Sequence, residues 1–204
     1  MAKDLTVFDK EYGLLINGAW TSPGTLLDSY NPANGEALAK FTDATDADVD
    51  AAVAAAQEAF KTWRKTTATE RAAILNKIAD VIDENLELFA LQETLDNGKP
   101  IRETRAADIP LASDHFRYFA SVIRGEEGTA TQLDSEDLSI VLREPIGVVG
   151  QIIPWNFPFL IVCQKLPFAL AAGCTAVVKP SELTPSTTVI LGELLMEAGL
   201  PPGV

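Results

Sequence analysis

Histidine and basic side chains are scarce in this 204-residue chain. The single histidine, His115, excludes a histidine-based metal site and argues against a Ser-His-Asp triad. Its place in an amphipathic segment is typical of a partly exposed helix residue. Lysine and arginine number 16 against 29 acidic residues, and the formal net charge of −13 repels phosphate backbones and anionic membrane surfaces. We therefore expect no metal centre and no nucleic-acid partner.

Cysteine and uninterrupted apolar runs are also limited. Cys163 and Cys174 are too few for a disulfide framework and lie in apolar surroundings, and the first residues lack the apolar core of a signal peptide. These features predict a reducing compartment, the cytoplasm. The stretch 146–178 has one charged residue, but prolines and glycines divide it into pieces of strand or helix length. Buried parallel strands joined by a helix explain it better, and we expect no membrane association.

The first 125 residues read as short strands followed by helices. Asn17-Gly18 and Asn34-Gly35 predict antiparallel strands between residues 12 and 41. Thr45 is a candidate N-cap for the first of four helices, and Pro110 is expected to start or kink the fourth. The apolar positions that indicate these helices are Val49, Val53, Ala56, Phe60 and Trp63; Leu75, Ile78 and Ile82; Leu88, Leu91 and Leu95; and Ala112, Phe116, Phe119 and Ile123.

The remaining residues predict parallel α/β winding. Residues 138–143 alternate as in a half-exposed strand, whose edge is expected to pair with another subunit. An apolar strand at 146–153, a helix at 158–172, a strand at 176–178 and a helix at 187–198 then follow. Two parallel strands leave apolar faces without neighbours, so the chain looks truncated.

The loop after the first apolar strand carries the most informative polar residue. It lies at a carboxyl end of the predicted sheet, where α/β proteins bind ligands. Pro154 and Pro158 keep it out of a helix, and the Asn156 amide between them can donate a hydrogen bond to an oxyanion. The alternative is that Asn156 satisfies a turn while Trp155 packs.

A second candidate follows the next strand. Neither Gly-x-Gly-x-x-Gly nor a P-loop occurs, so the usual nucleotide-binding fingerprints are missing. Lys179 and Glu182, however, lie three residues apart just past the strand end. A glutamate accepts hydrogen bonds from both ribose hydroxyls, and a lysine reaches the same ribose or a phosphate. A solvated salt pair is the alternative.

Six motifs in order resemble the N-terminal portion of the NAD(P)-dependent aldehyde dehydrogenase superfamily, and they cover nearly all of the chain from residue 12. They are Leu15–Trp20, Asn31–Gly35, Leu95–Pro100, Glu144–Val149, Pro154–Pro158 and Lys179–Glu182. Residues 114–120 with 126–128 are similar to the branch that oxidises acetaldehyde and other aliphatic aldehydes. An unrelated α/β binding module would match all six motifs in order only by chance, so we discard that interpretation.

The resemblance implies an enzyme that oxidises an aldehyde to a carboxylic acid through a thiohemiacetal on a cysteine, with NAD, or NADP, as the hydride acceptor. Asn156 matches the amide that stabilises the oxyanion. The residues expected to contact the cofactor are Ile152, Ile153, Pro154, Trp155, Lys179, Ser181 and Glu182. Lys165 matches a lysine near the active site, and Gln164 departs from the aromatic residue that many relatives place before it.

The family's nucleophilic cysteine and general base lie beyond residue 204, and neither Cys163 nor Cys174 fits the nucleophile. The isolated chain is therefore expected to be inactive, and the full-length enzyme to be a homo-oligomer. The expected division is an N-terminal β-hairpin and helical region at 1–128, a protruding oligomerisation strand at 129–145, and the first two β-α units of an incomplete Rossmann-like NAD-binding sheet at 146–204. The alternative is a non-catalytic short product that retains an oligomerisation surface or a weak nucleotide site.

Overall fold

Five short strands open the fold of residues 8–204, the region of the chain that the computed structural model describes. They are β1 (Glu11–Tyr12), β2 (Leu15–Ile16), β3 (Ala19–Trp20), β4 (Leu26–Tyr30) and β5 (Ala37–Thr42). The β2–β3 hairpin turns at Asn17 and Gly18, whose φ angles of 52° and 75° suit the predicted two-residue turn. Strands β4 and β5 are antiparallel, as predicted. Strand β1 pairs parallel with β5, which the turn signals did not predict.

Three helices follow: α1 (Asp46–Trp63), α2 (Ala68–Glu84) and α3 (Leu86–Asn97). Thr45 caps α1 as predicted, and its hydroxyl and the Asp48 carboxylate form a reciprocal capping box. Gly98 ends α3 in a left-handed conformation with φ of 82°. The predicted apolar face of α3 is wrong, because Leu91 is exposed and Leu88 and Leu95 are only half-buried. The buried side of this helix carries Phe89 and Ala90 together with the polar Gln92, Glu93 and Asp96.

The fourth predicted helix is longer and less regular than the spacing of Ala112, Phe116, Phe119 and Ile123 indicated. It begins with α4 (Ile101–Glu103), passes through a π-helical turn (Thr104–Asp108) and continues as α5 (Ile109–Val122). Pro110 lies at the start of α5, in agreement with one of the two expected roles. A 3₁₀ turn (Ile123–Gly125) ends the segment. His115 is half-buried on α5, and its Nδ1 atom lies 2.5 Å from the Leu111 carbonyl oxygen.

A hairpin and two β-α units complete the chain: β6 (Thr129–Gln132), β7 (Leu138–Val141), β8 (Val148–Ile152), α6 (Pro158–Ala171), β9 (Thr175–Lys179) and α7 (Ser186–Glu197). Strands β8 and β9 pair in parallel, which gives the predicted α/β fold with an incomplete sheet. They are less buried than expected, because no further complete strand covers the free edges among the described residues. Ile146, predicted to begin the first strand, lies outside it and is 88% exposed.

The main hydrophobic core lies where α2, α5, α6 and α7 pack together. Its largest fully buried side chains include Leu75, Ile78, Ile82, Phe89, Ile109, Phe116, Phe159, Leu170, Ile190 and Leu191. The rings of Phe89 on α3 and Phe159 on α6 stack with their centroids 4.2 Å apart. This contact fixes the first turn of α6 against α3. Within residues 8–204, no helix has both the length and the hydropathy of a membrane span.

Candidate functional site

The two loops singled out in the sequence leave the same edge of the sheet. In the parallel register Ile152 is opposite Lys179, and the Ile153 amide donates a 3.0 Å hydrogen bond to the Lys179 carbonyl oxygen. The loop that carries Asn156 and the loop that carries Glu182 therefore start side by side at the carboxyl ends of β8 and β9. Parallel α/β sheets bind their ligands at this edge.

Asn156 is exposed, and its side chain has no hydrogen-bond partner within residues 8–204. The alternative that this amide merely satisfies a turn therefore receives no support. The backbone next to it is held instead, because the Trp155 carbonyl oxygen accepts a 2.7 Å hydrogen bond from Asn97 Nδ2 and lies 3.5 Å from Thr184 Oγ1. The loop thus presents a free amide on a supported backbone, as an oxyanion donor requires.

The residue after Asn156 is covered by a cation. The Lys99 ammonium lies 3.5 Å from the centroid of the Phe157 ring, which is cation–π geometry. Lys99 also forms an ion pair with Asp108 in the π-helical turn, and the two side chains are only 15% and 5% exposed. The low exposure strengthens both interactions relative to a surface pair. Sequence reasoning did not identify Lys99 or Asp108 as site residues.

A buried carboxyl group, Glu93 on α3, lies at the start of α6 and α7. The Thr187 hydroxyl of α7 donates a 3.2 Å hydrogen bond to it, and the Phe159 backbone amide of α6 is close enough to favour its ionised form. Burial raises the pKa of Glu93 to about 8, and these interactions and the Lys99 charge offset only some of that effect. Glu93 is therefore a neutral acid below that pH. It was missed because its burial depends on helices far along the chain.

Asp96 is a second buried carboxyl group that accepts hydrogen bonds from other elements, and it lies about one turn further along α3. It accepts hydrogen bonds from the Ser29 hydroxyl of β4 and, at 3.0 Å, from the Ser186 amide at the start of α7. Burial raises its pKa, and the serine hydrogen bonds oppose that shift. Asp96 therefore joins the N-terminal strands, α3 and the helix that follows the Glu182 loop.

Lys179 and Glu182 form the exposed salt pair that the sequence offered as the alternative to a ribose-binding pair. Lys179 Nζ and Glu182 Oε2 are 3.3 Å apart, and both side chains are more than half exposed. A hydrogen bond from its own backbone amide lowers the pKa of Glu182, with the Lys179 charge acting in the same direction. Ser181 is buried, and its hydroxyl accepts a 3.2 Å hydrogen bond from the Leu183 amide. The observed salt pair leaves a carboxylate on the open edge, where ribose hydroxyls can reach it.

The other predicted cofactor contacts divide by exposure. Ile152, Pro154 and Trp155 are exposed at the edge of the sheet. Ile153 is 1% exposed and packs in the core, and its amide is already used by the Lys179 carbonyl oxygen, so this predicted contact has no accessible surface at the edge. Lys165, on α6, donates a 3.1 Å hydrogen bond to the Ile152 carbonyl oxygen and so supports the end of β8.

Both cysteines are buried away from this edge. Burial raises the pKa of Cys163 well above its usual range, and the nearby Glu93 carboxylate acts in the same direction. A buried thiol of this kind is a poor nucleophile, which agrees with the expected inert role. Among residues 8–204 no group of histidine, cysteine and acidic side chains forms a metal-binding cluster.

A cavity of about 450 Å³ lies elsewhere, between α1 and the sheet. Its lining includes Phe60, Ile146 and Val177 and none of the predicted site residues. The polar groups that converge at the carboxyl ends of β8 and β9 make that edge, rather than this cavity, the candidate site.

Comparison with known proteins gives concordant results. The family model described as the aldehyde dehydrogenase family matches residues 20–204. The chain is 49% identical over 205 residues to an aldehyde dehydrogenase of Rhodospirillum rubrum, covering 100% of this chain and 40% of that protein. It is also 49% identical over 199 residues to acetaldehyde dehydrogenase 2 of Cupriavidus necator, covering 97% and 39%.

Solved structures give the same answer. The NAD⁺ complex of aldehyde dehydrogenase from Bacillus cereus superposes with a TM-score of 0.93 at 40% identity, covering 97% of this chain and 41% of that one. An NAD-dependent aldehyde dehydrogenase from Sinorhizobium meliloti gives 0.92 at 40% identity, covering 98% and 41%. The chain thus spans about 40% of the length of the relatives it matches. By sequence along nearly its whole length and by fold, it belongs to the aldehyde dehydrogenase family.

Proposed function

We propose that this chain is the N-terminal portion of an NAD-dependent aldehyde dehydrogenase that oxidises an aliphatic aldehyde to its carboxylic acid. The single observation that carries the proposal is the meeting of two loops at the carboxyl ends of β8 and β9. One loop presents the free amide of Asn156 and the other the accessible Lys179–Glu182 pair. The Cupriavidus necator relative, named an acetaldehyde dehydrogenase, supports a small aliphatic substrate.

Asn156 is the proposed oxyanion donor. When a nucleophile adds to an aldehyde, negative charge develops on the carbonyl oxygen, and a fixed amide N–H close to that oxygen stabilises it. The free, exposed Asn156 side chain fits this task because no other described residue occupies its hydrogen-bonding groups. The nucleophilic cysteine and the general base would come from the remainder of the full-length protein, because Cys163 and Cys174 are buried.

NAD is the proposed cofactor, and NADP is a weaker alternative. The donor set at the sheet edge fits a ribose: Glu182 offers carboxylate oxygens to two hydroxyls, and Lys179 beside it offers an ammonium. The exposed Ile152, Pro154 and Trp155 provide an apolar wall next to them. Bound NAD would supply the hydride acceptor at this edge. A 2′-phosphate beside the Glu182 carboxylate would bring like charges together, which favours NAD.

The β6–β7 hairpin is the proposed oligomerisation element of a homo-oligomer. Leu138, Ile140 and Leu142 are each more than half exposed on it, and such a cluster marks an interaction surface. The proposed organisation is an N-terminal region at 1–128, this protruding segment at 129–145 and the first β-α units of the NAD-binding domain at 146–204. The two free buried cysteines support a cytoplasmic location.

The test uses the full-length protein purified with its complete coding sequence. Acetaldehyde and NAD should yield acetate and reduced nicotinamide in equal amounts, followed by chromatography and by the absorbance of the reduced cofactor. The 204-residue chain alone, assayed in parallel, should give no turnover because its two cysteines are buried. Absence of acid from the full-length protein with acetaldehyde and with longer aliphatic aldehydes would overturn the proposal.

A further inference from the structure

We propose that the turn at the end of α3, Asn97 to Lys99, positions Asn156 by holding the two residues that flank it. This turn belongs to the sequence motif Leu95–Pro100, to which the proposed reaction assigns no task. The inference rests on the role proposed above for Asn156. It makes Asn97 and Lys99 positioning residues, which act through the loop and touch no reacting atom.

The first hold is on the peptide group that leads into Asn156. Asn97 Nδ2 donates a 2.7 Å hydrogen bond to the Trp155 carbonyl oxygen, and that carbonyl shares a planar peptide unit with the Asn156 nitrogen. Fixing the oxygen therefore fixes the orientation of the bond from which the Asn156 backbone continues. The contact joins residues 58 positions apart, so it ties the loop to a separate helix rather than to its own strand.

The second hold is on the side chain that follows Asn156. The Lys99 ammonium lies over the Phe157 ring at 3.5 Å from its centroid. Asp108 pairs with the same ammonium and fixes it in place. Since both charged groups are nearly buried, the ring of Phe157 faces a cation that solvent cannot easily displace. Asn156 is thus held from both sides by residues two positions apart on one turn.

The π-helical turn packs behind the Asn97–Lys99 turn and supports it. The π-helical turn brings both Thr104 and Asp108 to the buried side of the helix, and π turns inside α-helices are frequent at functional sites. Thr104 Oγ1 donates to the Ala90 carbonyl oxygen at 3.2 Å, which fastens the π turn to α3. Gly98, between the two holding residues, has φ of 82°, and a Cβ there would lie 2.7 Å from Pro32. The motif therefore requires glycine between its two polar residues.

The competing explanation is that Asn97 and Lys99 only cap α3 and stabilise the fold. Kinetics of the full-length enzyme can distinguish this role from the positioning of Asn156. Asn97→Ala and Lys99→Met should each lower kcat about tenfold or more with acetaldehyde and NAD, because small misplacements of a catalytic group are costly. The KM for NAD should change less than about twofold, since the proposed ribose contacts, Lys179 and Glu182, lie on the neighbouring loop. Lys99→Arg should restore most of the rate, because arginine can reach both Asp108 and the ring.

The matched control is Asn85→Ala at the other end of α3. Asn85 Nδ2 donates a 2.8 Å hydrogen bond to the Val81 carbonyl oxygen, so the control removes the same kind of bond far from the loop. It should lower the thermal midpoint as much as Asn97→Ala while leaving kcat unchanged. If Asn97→Ala does not fold, Asn97→Ser and Lys99→Met test the same claim.

The decisive readout is the double variant Asn97→Ala with Asn156→Ala. A residue that acts only through Asn156 adds no further loss once that amide is gone, so the double variant should turn over at the rate of Asn156→Ala alone. If the loss of kcat in the double variant equals the product of the two single-variant losses, the two residues act independently. That result would overturn the inference and leave the proposed function standing. A wild-type kcat for Asn156→Ala would overturn the proposed role of Asn156 and the inference with it.

Discussion

Replacing Glu93 by glutamine should remove a steep pH dependence from the stability of this protein. Glu93 is fully buried, and burial raises its pKa from the ordinary 4.5 to about 8. Below pH 4.5 the folded and unfolded chains both hold the proton, so ionisation of Glu93 costs nothing. Between 4.5 and about 8 only the unfolded chain releases it, so unfolding is increasingly favoured as pH rises. Above about 8 the carboxyl group ionises in both states and the effect levels off.

The magnitude follows from the size of the shift. Each pH unit within this interval lowers the free energy of unfolding by about 1.4 kcal/mol, which amounts to about 5 kcal/mol over the whole interval. Glutamine has nearly the same shape and does not ionise, and its carbonyl oxygen can accept the hydrogen bond from the Thr187 hydroxyl. Any fixed cost of the substitution is the same at every pH. The difference in slope between the two proteins therefore isolates the carboxyl group.

The assay is urea denaturation of wild type and Glu93→Gln at several pH values from about 5.5 to about 7, well inside the interval where the full slope is expected. As pH rises, the free energy of unfolding of the variant should increase relative to that of wild type by about 1.4 kcal/mol for each pH unit. Glu84→Gln, at the exposed end of α2, is the control: it removes one acidic side chain without burial, and its curve should run parallel to wild type. Parallel curves for Glu93→Gln and wild type would refute the reasoning.

Three further predictions concern other regions of the molecule. In the full-length enzyme, Glu182→Gln should weaken NAD binding and raise the relative efficiency with NADP, whereas Lys179→Ala should weaken the binding of both cofactors. An unchanged ratio of kcat/KM for the two cofactors in Glu182→Gln would show that Glu182 does not contact the ribose. Leu138→Thr with Ile140→Thr should dissociate the oligomer in sedimentation equilibrium, because these exposed side chains form the proposed contact; an unchanged mass would contradict it. Arg71→Met should lower the free energy of unfolding, measured in urea, by about 2–3 kcal/mol, because the Arg71 guanidinium donates to two backbone carbonyl oxygens. Arg71→Lys should recover only a fraction of that loss. A wild-type urea midpoint for Arg71→Met would show that these hydrogen bonds add no stability.

The edge of the sheet that carries the candidate site was predictable because its signals are local. An apolar run followed by a proline-bounded loop predicted where the strand ends and that the loop carrying Asn156 begins there, and the strand is observed to end at Ile152. The three-residue spacing of Lys179 and Glu182 likewise indicated either a ribose-binding pair or a solvated salt pair beyond the next strand, and the exposed 3.3 Å contact is the salt pair. In each case the evidence lies within a few residues of the feature it predicts.

The support for that edge was not predictable in the same way. The leucines of α3 suggested the buried face, but tertiary packing buries Phe89 and Ala90 together with the polar Glu93 and Asp96. Their partners on α6 and α7 lie about 65 to 95 residues later and Ser29 on β4 lies 67 residues earlier, so no local pattern reveals why these polar side chains are buried. The parallel pairing of β1 with β5 failed for the same reason, since the turn signals report only neighbouring strands. The Leu95–Pro100 motif was the one available signal that this end of α3 has a task.

The claim that Asn156 stabilises the reaction's developing oxyanion is tested most directly by one substitution in the full-length enzyme. Asn156→Ala should lower kcat for acetaldehyde oxidation about 10²–10³-fold, as loss of one oxyanion donor does, while NAD affinity measured by calorimetry stays at the wild-type value. Asn34→Ala, which removes an exposed asparagine from the turn before β5, should leave both quantities unchanged. A wild-type kcat for Asn156→Ala, or a loss explained wholly by weaker NAD binding, would contradict the account.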